Sequence, residues 1–277
     1  MKKSRLQISK KETVIVKTQK MKTKISGIGI MLIMLTAAVL QAQEYKVARN
    51  SGKLVIREVN HVTIEGYNGN EIVFSSLDGP RKKDPRAEGL RSVSSMGLED
   101  NTGFGIAVQE KPDVIEVYQM KKMDGTKLRI MVPKGVAISV SHSSPYGGRL
   151  KFKNVESEIE VSTVHNGVHL DNVTGPLTIK TVHGAIEGVF GNNLKSPFSL
   201  ASAQGLIDIT VPTAFKANIK LSASYGEIFV DPAIKIELDE KGDWVKYGSN
   251  KINGKINGGG LDLSLSTAHG NIYIRKG

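Results

Sequence analysis

Three histidines of this chain recur at one phase of a repeat, and imidazole is a good ligand for zinc or copper. His165, His183 and His269 each stand one residue before an Asn or a Gly, and Gln204 and Tyr225 hold the same place in other copies. Stacked as a ladder with rungs ~4.8 Å apart, His165 and His183 would be neighbours. Two histidines fall short of a four-ligand shell. The chain has no cysteine, and no carboxylate recurs beside them. We therefore assign no metal and read the five residues as a polar edge ladder.

Hydrolytic chemistry has two candidate constellations. Hydroxyls are plentiful at the same corners (Ser162, Thr163, Thr181, Ser202, Ser222, Ser266, Thr267), but no Gly-x-Ser-x-Gly elbow is present. Short hydroxyl side chains suit corners by bonding local backbone. Three residues after the corner stand Glu187 and Asp208, a carboxylate pair of the kind that cleaves glycosidic bonds. Their counterparts His169, Phe229 and Tyr273 break the row. Gly254 to Gly260 lacks the Gly-Lys-Ser/Thr of a phosphate loop. No catalytic or cofactor-binding residue is assigned, and no cofactor is expected.

The element that must position these residues is a repeat. Relative to Gly184, apolar residues stand seven and five before (Leu177, Ile179) and two after (Ile186). Gly205, Gly226 and Gly270 show the same offsets, Asn166 replaces Gly in one copy, and Gly148 heads a partial one. The spacings are 18, 18, 21, 21 and 44 residues, the last being about two coils or one coil with an insertion at 231–255. Polar Glu160, Thr178, Ser199, Lys220 and Ser264 alternate with the apolar pairs, as in strands with one buried face. Gly or Asn at the reference tolerates a positive φ and so forms the corner. One unit cannot bury its apolar face alone; stacking on the next does so. The expected fold is all-β: a single-stranded β-solenoid or β-helix-like repeat over 136–277, after a smaller β-rich segment at 44–135. In that register the residue two after the corner points inward. The residue three after points outward, which aligns His169, Glu187, Asp208, Phe229 and Tyr273 on one outer face as a candidate contact surface.

Residues 1–43 read as an address. Lys20, Lys22 and Lys24 precede an apolar run from Ile28 to Leu40 that ends in Leu40-Gln41-Ala42. A basic flank, a short apolar run and a small residue make a secretory signal, too short for a ~20-residue span. The mature chain is expected to begin near Gln43 or Glu44, with no integral span, and Met21 is a natural alternative start to Met1. The same segment explains the charge. Of the net +11, nine Lys/Arg against Glu12 lie in the first 43 residues, which argues against a nucleic-acid partner.

The motif order also bears a resemblance. Tyr67-Asn68-Gly69-Asn70-Glu71-Ile72-Val73 is followed by Ala87-Glu88-Gly89-Leu90 and Asp100-Asn101-Thr102-Gly103. Val132-Pro133-Lys134-Gly135 comes next, then repeated x-Gly-x-Ile, closing on Gly270-Asn271-Ile272-Tyr273-Ile274. The chain from about residue 45 onward resembles the putative-adhesin family of bacterial envelope proteins, with a Bacteroidetes flavour. With the periplasm or cell surface as the expected compartment and an envelope protein or glycan as the expected partner, that resemblance implies export, β architecture and a non-enzymatic role, and no more. It carries no catalytic residues. The rival functions are a polysaccharide-active β-helix enzyme and an envelope-stress accessory.

Overall fold

The computed structural model describes residues 44–79, 84–123, 125–238 and 250–277. The leader at 1–43 and its signal lie outside the described residues. So do residues 80–83, within the charged stretch from Arg81 to Arg86, and 239–249 of the insertion. Among the described residues no helix is long and apolar enough to cross a membrane.

The N-terminal strands are β1 (Glu44–Val47), β2 (Gly52–Arg57), β3 (Val62–Tyr67) and β4 (Ile72–Ser76). A short 3-10 turn at Pro85–Ala87 precedes β5 (Ile106–Glu110), β6 (Val114–Gln119) and β7 (Leu128–Pro133). The repeat region runs through β8 (Val136–His142), β9 (Leu150–Lys153), β10 (Ile159–Thr163) and β11 (Val168–Asp171). It continues with β12 (Leu177–Thr181), β13 (Ile186–Val189), β14 (Phe198–Ser202) and β15 (Ile207–Val211). Last come β16 (Ala217–Ala223), β17 (Ile228–Val230), β18 (Ile236–Leu238), β19 (Asn250–Ile256), β20 (Leu261–Thr267) and β21 (Ile272–Lys276).

These strands make two sheets, of ten and eleven strands. Each coil gives one strand to each sheet, and most pairings are parallel. Sheet A reads β1-β4-β7-β3-β9-β11-β13-β15-β21-β17; sheet B reads β18-β19-β16-β20-β14-β12-β10-β8-β2-β6-β5. The architecture is the expected β-solenoid, and the stack continues across residue 135, because β2, β3, β6 and β7 join the same two sheets. At both ends the order departs from the sequence. The β2–β3 coil sits between β6–β7 and β8–β9, and the last coil, β20–β21, sits between β14–β15 and β16–β17. The 44-residue spacing is thereby resolved: Gly270 follows Gly205 in the stack, and the Gly226 coil is outermost. Antiparallel strands β4, β1 and β5 close one end, and the β19–β18 hairpin closes sheet B at the other. Within the insertion the Gly254 to Gly260 stretch is part strand, with a turn only from 257.

The core is a set of apolar ladders. Ile159, Leu177, Phe198, Leu263 and Ile219 form one rung-aligned row and Val168, Ile186, Ile207 and Ile272 another, all buried. Ile228 continues the second row but is only half-buried, since β17 is the outermost strand of sheet A. Gly188 interrupts a third row, and the ring of Phe190 occupies the space: a Cβ there would meet it at 2.9 Å. Phe190 in turn stacks on Phe198 at 4.9 Å.

The corner glycines have a different reason from the one expected. Gly184, Gly205, Gly226 and Gly270 are not in the left-handed region. Each corner presses on a neighbouring one, so that a Cβ on Gly184 would lie 1.9 Å from the Asn166 carbonyl oxygen. Close approach of stacked backbone demands glycine here. Positive φ appears instead at the opposite corner, at Asn154 and Asn172 (φ 52°), whose side chains bond to one another at 2.8 Å.

Buried hydroxyls line the inside of the first corner. Thr163, Thr181, Ser202 and Thr267 bond to corner backbone: Thr181 Oγ1 donates to the Gly184 carbonyl at 2.6 Å, and Ser202 Oγ accepts from Gly205 N–H at 2.8 Å. They are structural caps. At the same ladder position one coil earlier stands His142, fully buried, with Nε2 3.0 Å from Asn60 Oδ1. Burial pushes its imidazole below the ordinary 6.5, only partly opposed by the nearby Glu58 carboxylate and Asn166 side chain. A depressed histidine means that the unfolded chain takes up the proton first as pH falls. Stability should therefore be constant above about pH 6.5, decline below it and level off under the folded-state value. Urea melts between about pH 8 and about pH 5 check this. His142→Thr, the residue its ladder neighbour uses, should flatten the profile whatever it does to absolute stability. An unchanged slope would refute the assignment.

Candidate functional site

The outer face of sheet A carries the row of residues expected from the repeat register, in corrected order. Register pairs run His169–Glu187, Glu187–Asp208, Asp208–Tyr273 and Tyr273–Phe229. Alternation along each strand turns these side chains away from the core, as the burial of their neighbours requires. Phe229 is 44% exposed and Tyr273 is half-buried. Their rings stack at 5.2 Å with planes 9° apart.

Both carboxylates of the row are tied up. Arg149 reaches over the β11 rung to Glu187 at 2.6 Å, and His169 Nδ1 lies 3.8 Å from the same carboxylate. Arg275 clamps Asp208 through two bonds of 2.8 and 2.9 Å, and its guanidinium also lies 5.4 Å from the Tyr273 ring centroid. The Asp208 carboxylate raises the Arg275 pKa. A glycosidase pair needs one carboxyl held protonated and another free to attack or activate water. Here both carboxylates are held in two-pronged arginine pairs that brace one rung against another. What remains chemically is a rigid aromatic–guanidinium surface over the last three rungs.

The edge ladder also forms, again with the last two members exchanged: His165, His183, Gln204, His269, Tyr225. All five are exposed. His165 stacks on His183 at 5.1 Å, His183 Nδ1 lies 2.7 Å from Gln204 Oε1, and Tyr225 stacks on His269 at 4.7 Å. Among the described residues no group of three or more potential ligands converges on a metal position.

Sequence reasoning missed Arg149 and Arg275. A lone arginine beside a strand start or near a chain end has no repeat signal, and the partner, two rungs away for Arg149 and on the adjacent rung for Arg275, is invisible without the stacking order. It also missed the buried Asn60–His142–Asn166 cluster. The Asn154-Val155 and Asn172-Val173 pairs, 18 residues apart, would have revealed the second corner.

One similar solved structure is a putative cell adhesion protein from Clostridium sporogenes ATCC 15579: 13% identity, 86% of this chain and 100% of that chain covered, TM-score 0.42. Another is a putative adhesin from Bacteroides fragilis NCTC 9343: 13% identity, 84% and 95% covered, TM-score 0.34. No curated protein matches. Residues 146–275, from the partial Gly148 copy to the final strand, match the family model described as Toastrack DUF4097.

Proposed function

We propose that the protein is an exported, non-enzymatic, adhesin-like binding module of the bacterial envelope, holding a protein partner on the outer face of sheet A. The observation that carries this reading is the exposed Phe229–Tyr273 stack with Arg275 beside it, on the last rungs of the sheet. Interfaces concentrate their energy in a few aromatic and arginine anchors. Here the anchors are preorganised: Arg275 is locked by Asp208 and Tyr273 OH accepts from Asn271 Nδ2 at 3.0 Å. Export rests on the basic flank and apolar run before residue 44, and the periplasm or cell surface is the compartment.

The test is an envelope-protein binding screen followed by Phe229→Ala and Tyr273→Ala. Each should weaken the partner by about 2 kcal/mol, roughly thirtyfold, and leave the Tm nearly unchanged. A Tm lowered by several degrees in Phe229→Ala, with binding intact, would return this face to the scaffold.

A further inference from the structure

The two outer faces of the solenoid differ in one respect that has a chemical meaning. On sheet A, Glu187 and Asp208 each have an arginine partner, and Arg129 pairs with Glu65. On the downstream half of sheet B the outward side chains are Thr178 and Lys180 on β12, Ser199 on β14 and Asp262, Ser264 and Ser266 on β20. Asn218, Lys220 and Ser222 follow on β16, and Lys251, Asn253 and Lys255 on β19. With Glu237 on β18, the register partner of Lys255, that is four lysines and two acids. Asp262 is already engaged, accepting from Asn218 Nδ2 at 3.1 Å. Among the described residues none of the four lysines has an ion pair, and Thr178, Ser199, Ser264 and Asn253 make no side-chain hydrogen bond.

These free groups are in register. Thr178, Ser199, Ser264, Lys220 and Asn253 occupy consecutive rungs across five strands. They line a cleft of about 680 Å³, with Lys255 and Asp262 also on its wall. The cap hairpin makes the cleft: β19 runs antiparallel to β16 and carries Asn253 and Lys255 to the far wall.

The geometry points to a second binding site here, for a carboxylated polysaccharide lying across the strands of sheet B. A row of hydroxyls and an amide, one per ~4.8 Å rung, offers donors and acceptors at a repeat that suits a chain of sugar rings. The ammonium groups of Lys220 and Lys255 supply the complement to uronate carboxylates, as compact point charges. The same face is ill-suited to other polyanions. Among the described residues its strands carry no outward-pointing aromatic side chain for base stacking, Phe198 on the cleft wall being buried in the core, and no arginine for bidentate phosphate recognition. It also lacks the exposed apolar side chains that a lipid surface needs. A peptide strand would seek a sheet edge, where backbone groups are unpaired, and this is a face.

The site is independent of the sheet A reading, and one experiment separates them. The full chain is titrated calorimetrically with oligomers of galacturonate, alginate and hyaluronan, and with a neutral cellulose oligomer. At least one acidic oligomer should bind, more weakly as salt rises, while the neutral one should not. Lys220→Gln should weaken binding about tenfold, the worth of one charge-assisted hydrogen bond, and Asn253→Ala should weaken it measurably. Both residues are exposed, so thermal melts should confirm an intact fold. Phe229→Ala should leave the glycan affinity unchanged. Absence of binding by all three acidic oligomers, equal binding of the neutral one, or wild-type affinity in Lys220→Gln would each overturn the site. Loss of glycan binding in Phe229→Ala alone would move it to sheet A.

Discussion

Replacing Ile207 by Asp should cost about 4 kcal/mol or more, and lower the Tm by about 10 °C or more. Ile207 is fully buried, with Ile186 below and Ile272 above it in the ladder. A carboxylate there loses its hydration, finds no cation in an all-apolar row, and leaves the space of the sec-butyl group poorly filled. Protonation to the neutral acid reduces the penalty without removing it. Ile186→Asp should behave alike. Ile228→Asp should cost distinctly less, because β17 is outermost and its side chain is already half in water. Outward positions give the contrast: Thr178→Asp, or removal of the Lys220 charge, should stay within about 0.5 kcal/mol. Chemical denaturation of the set decides the register. Equal losses at inward and outward positions would mean that alternation does not follow the Gly184 phase.

That register was legible because it depends on local spacing alone. Leu177, Ile179 and Ile186 are placed by short-range geometry: alternation within a strand and a fixed offset from a corner. The same reasoning put His169, Glu187 and Asp208 on one outer face and on adjacent rungs. What it could not deliver was contact between distant copies. The 21-residue step from Gly205 to Gly226 equals the step before it, so the sequence invites those coils to stack directly. Only the pairing of β14 with β20 shows that another coil intervenes. The arginine clamps depend on that order, since Arg275 meets Asp208 across 67 residues. Gly184 was recognised for the wrong cause, because the carbonyl pressing on it comes from Asn166 in another coil. Upstream of residue 136 the coils are obscured by the β4 and β5 excursions, which place β6 and β7 far from β2 and β3 in sequence although they lie beside them in the sheets.

The coil exchange makes the second large prediction, on removal of residues 261–277. In a solenoid stacked in sequence order, deleting the last coil trims an end and leaves the rest nearly intact. Here it extracts an interior coil. β20 bonds to both β14 and β16, and β21 to both β15 and β17. The deletion strips one parallel ladder from each of four strands and removes buried Leu263, Leu265, Ile272 and Ile274. The Asp208–Arg275 clamp and the Tyr273 stack go with them. At 2–5 kcal/mol for each large apolar side chain lost from a core, the truncated chain should melt at least about 15 °C lower, with β16 to β19 losing their hydrogen-exchange protection first. Re-pairing of β16 directly onto β14 would soften the loss, so the order needs its own readout. The absence of native cysteine supplies one. Ser199 and Ser264 are register partners on adjacent rungs, at a spacing of ~4.8 Å that a disulfide spans. Ser199→Cys with Ser264→Cys should cross-link on mild oxidation. Ser199→Cys with Lys220→Cys, two rungs apart at nearly 10 Å, should not. A truncation that melts like the full chain, together with a cross-link between positions 199 and 220, would restore sequential stacking and return Phe229 to the rung beside Asp208.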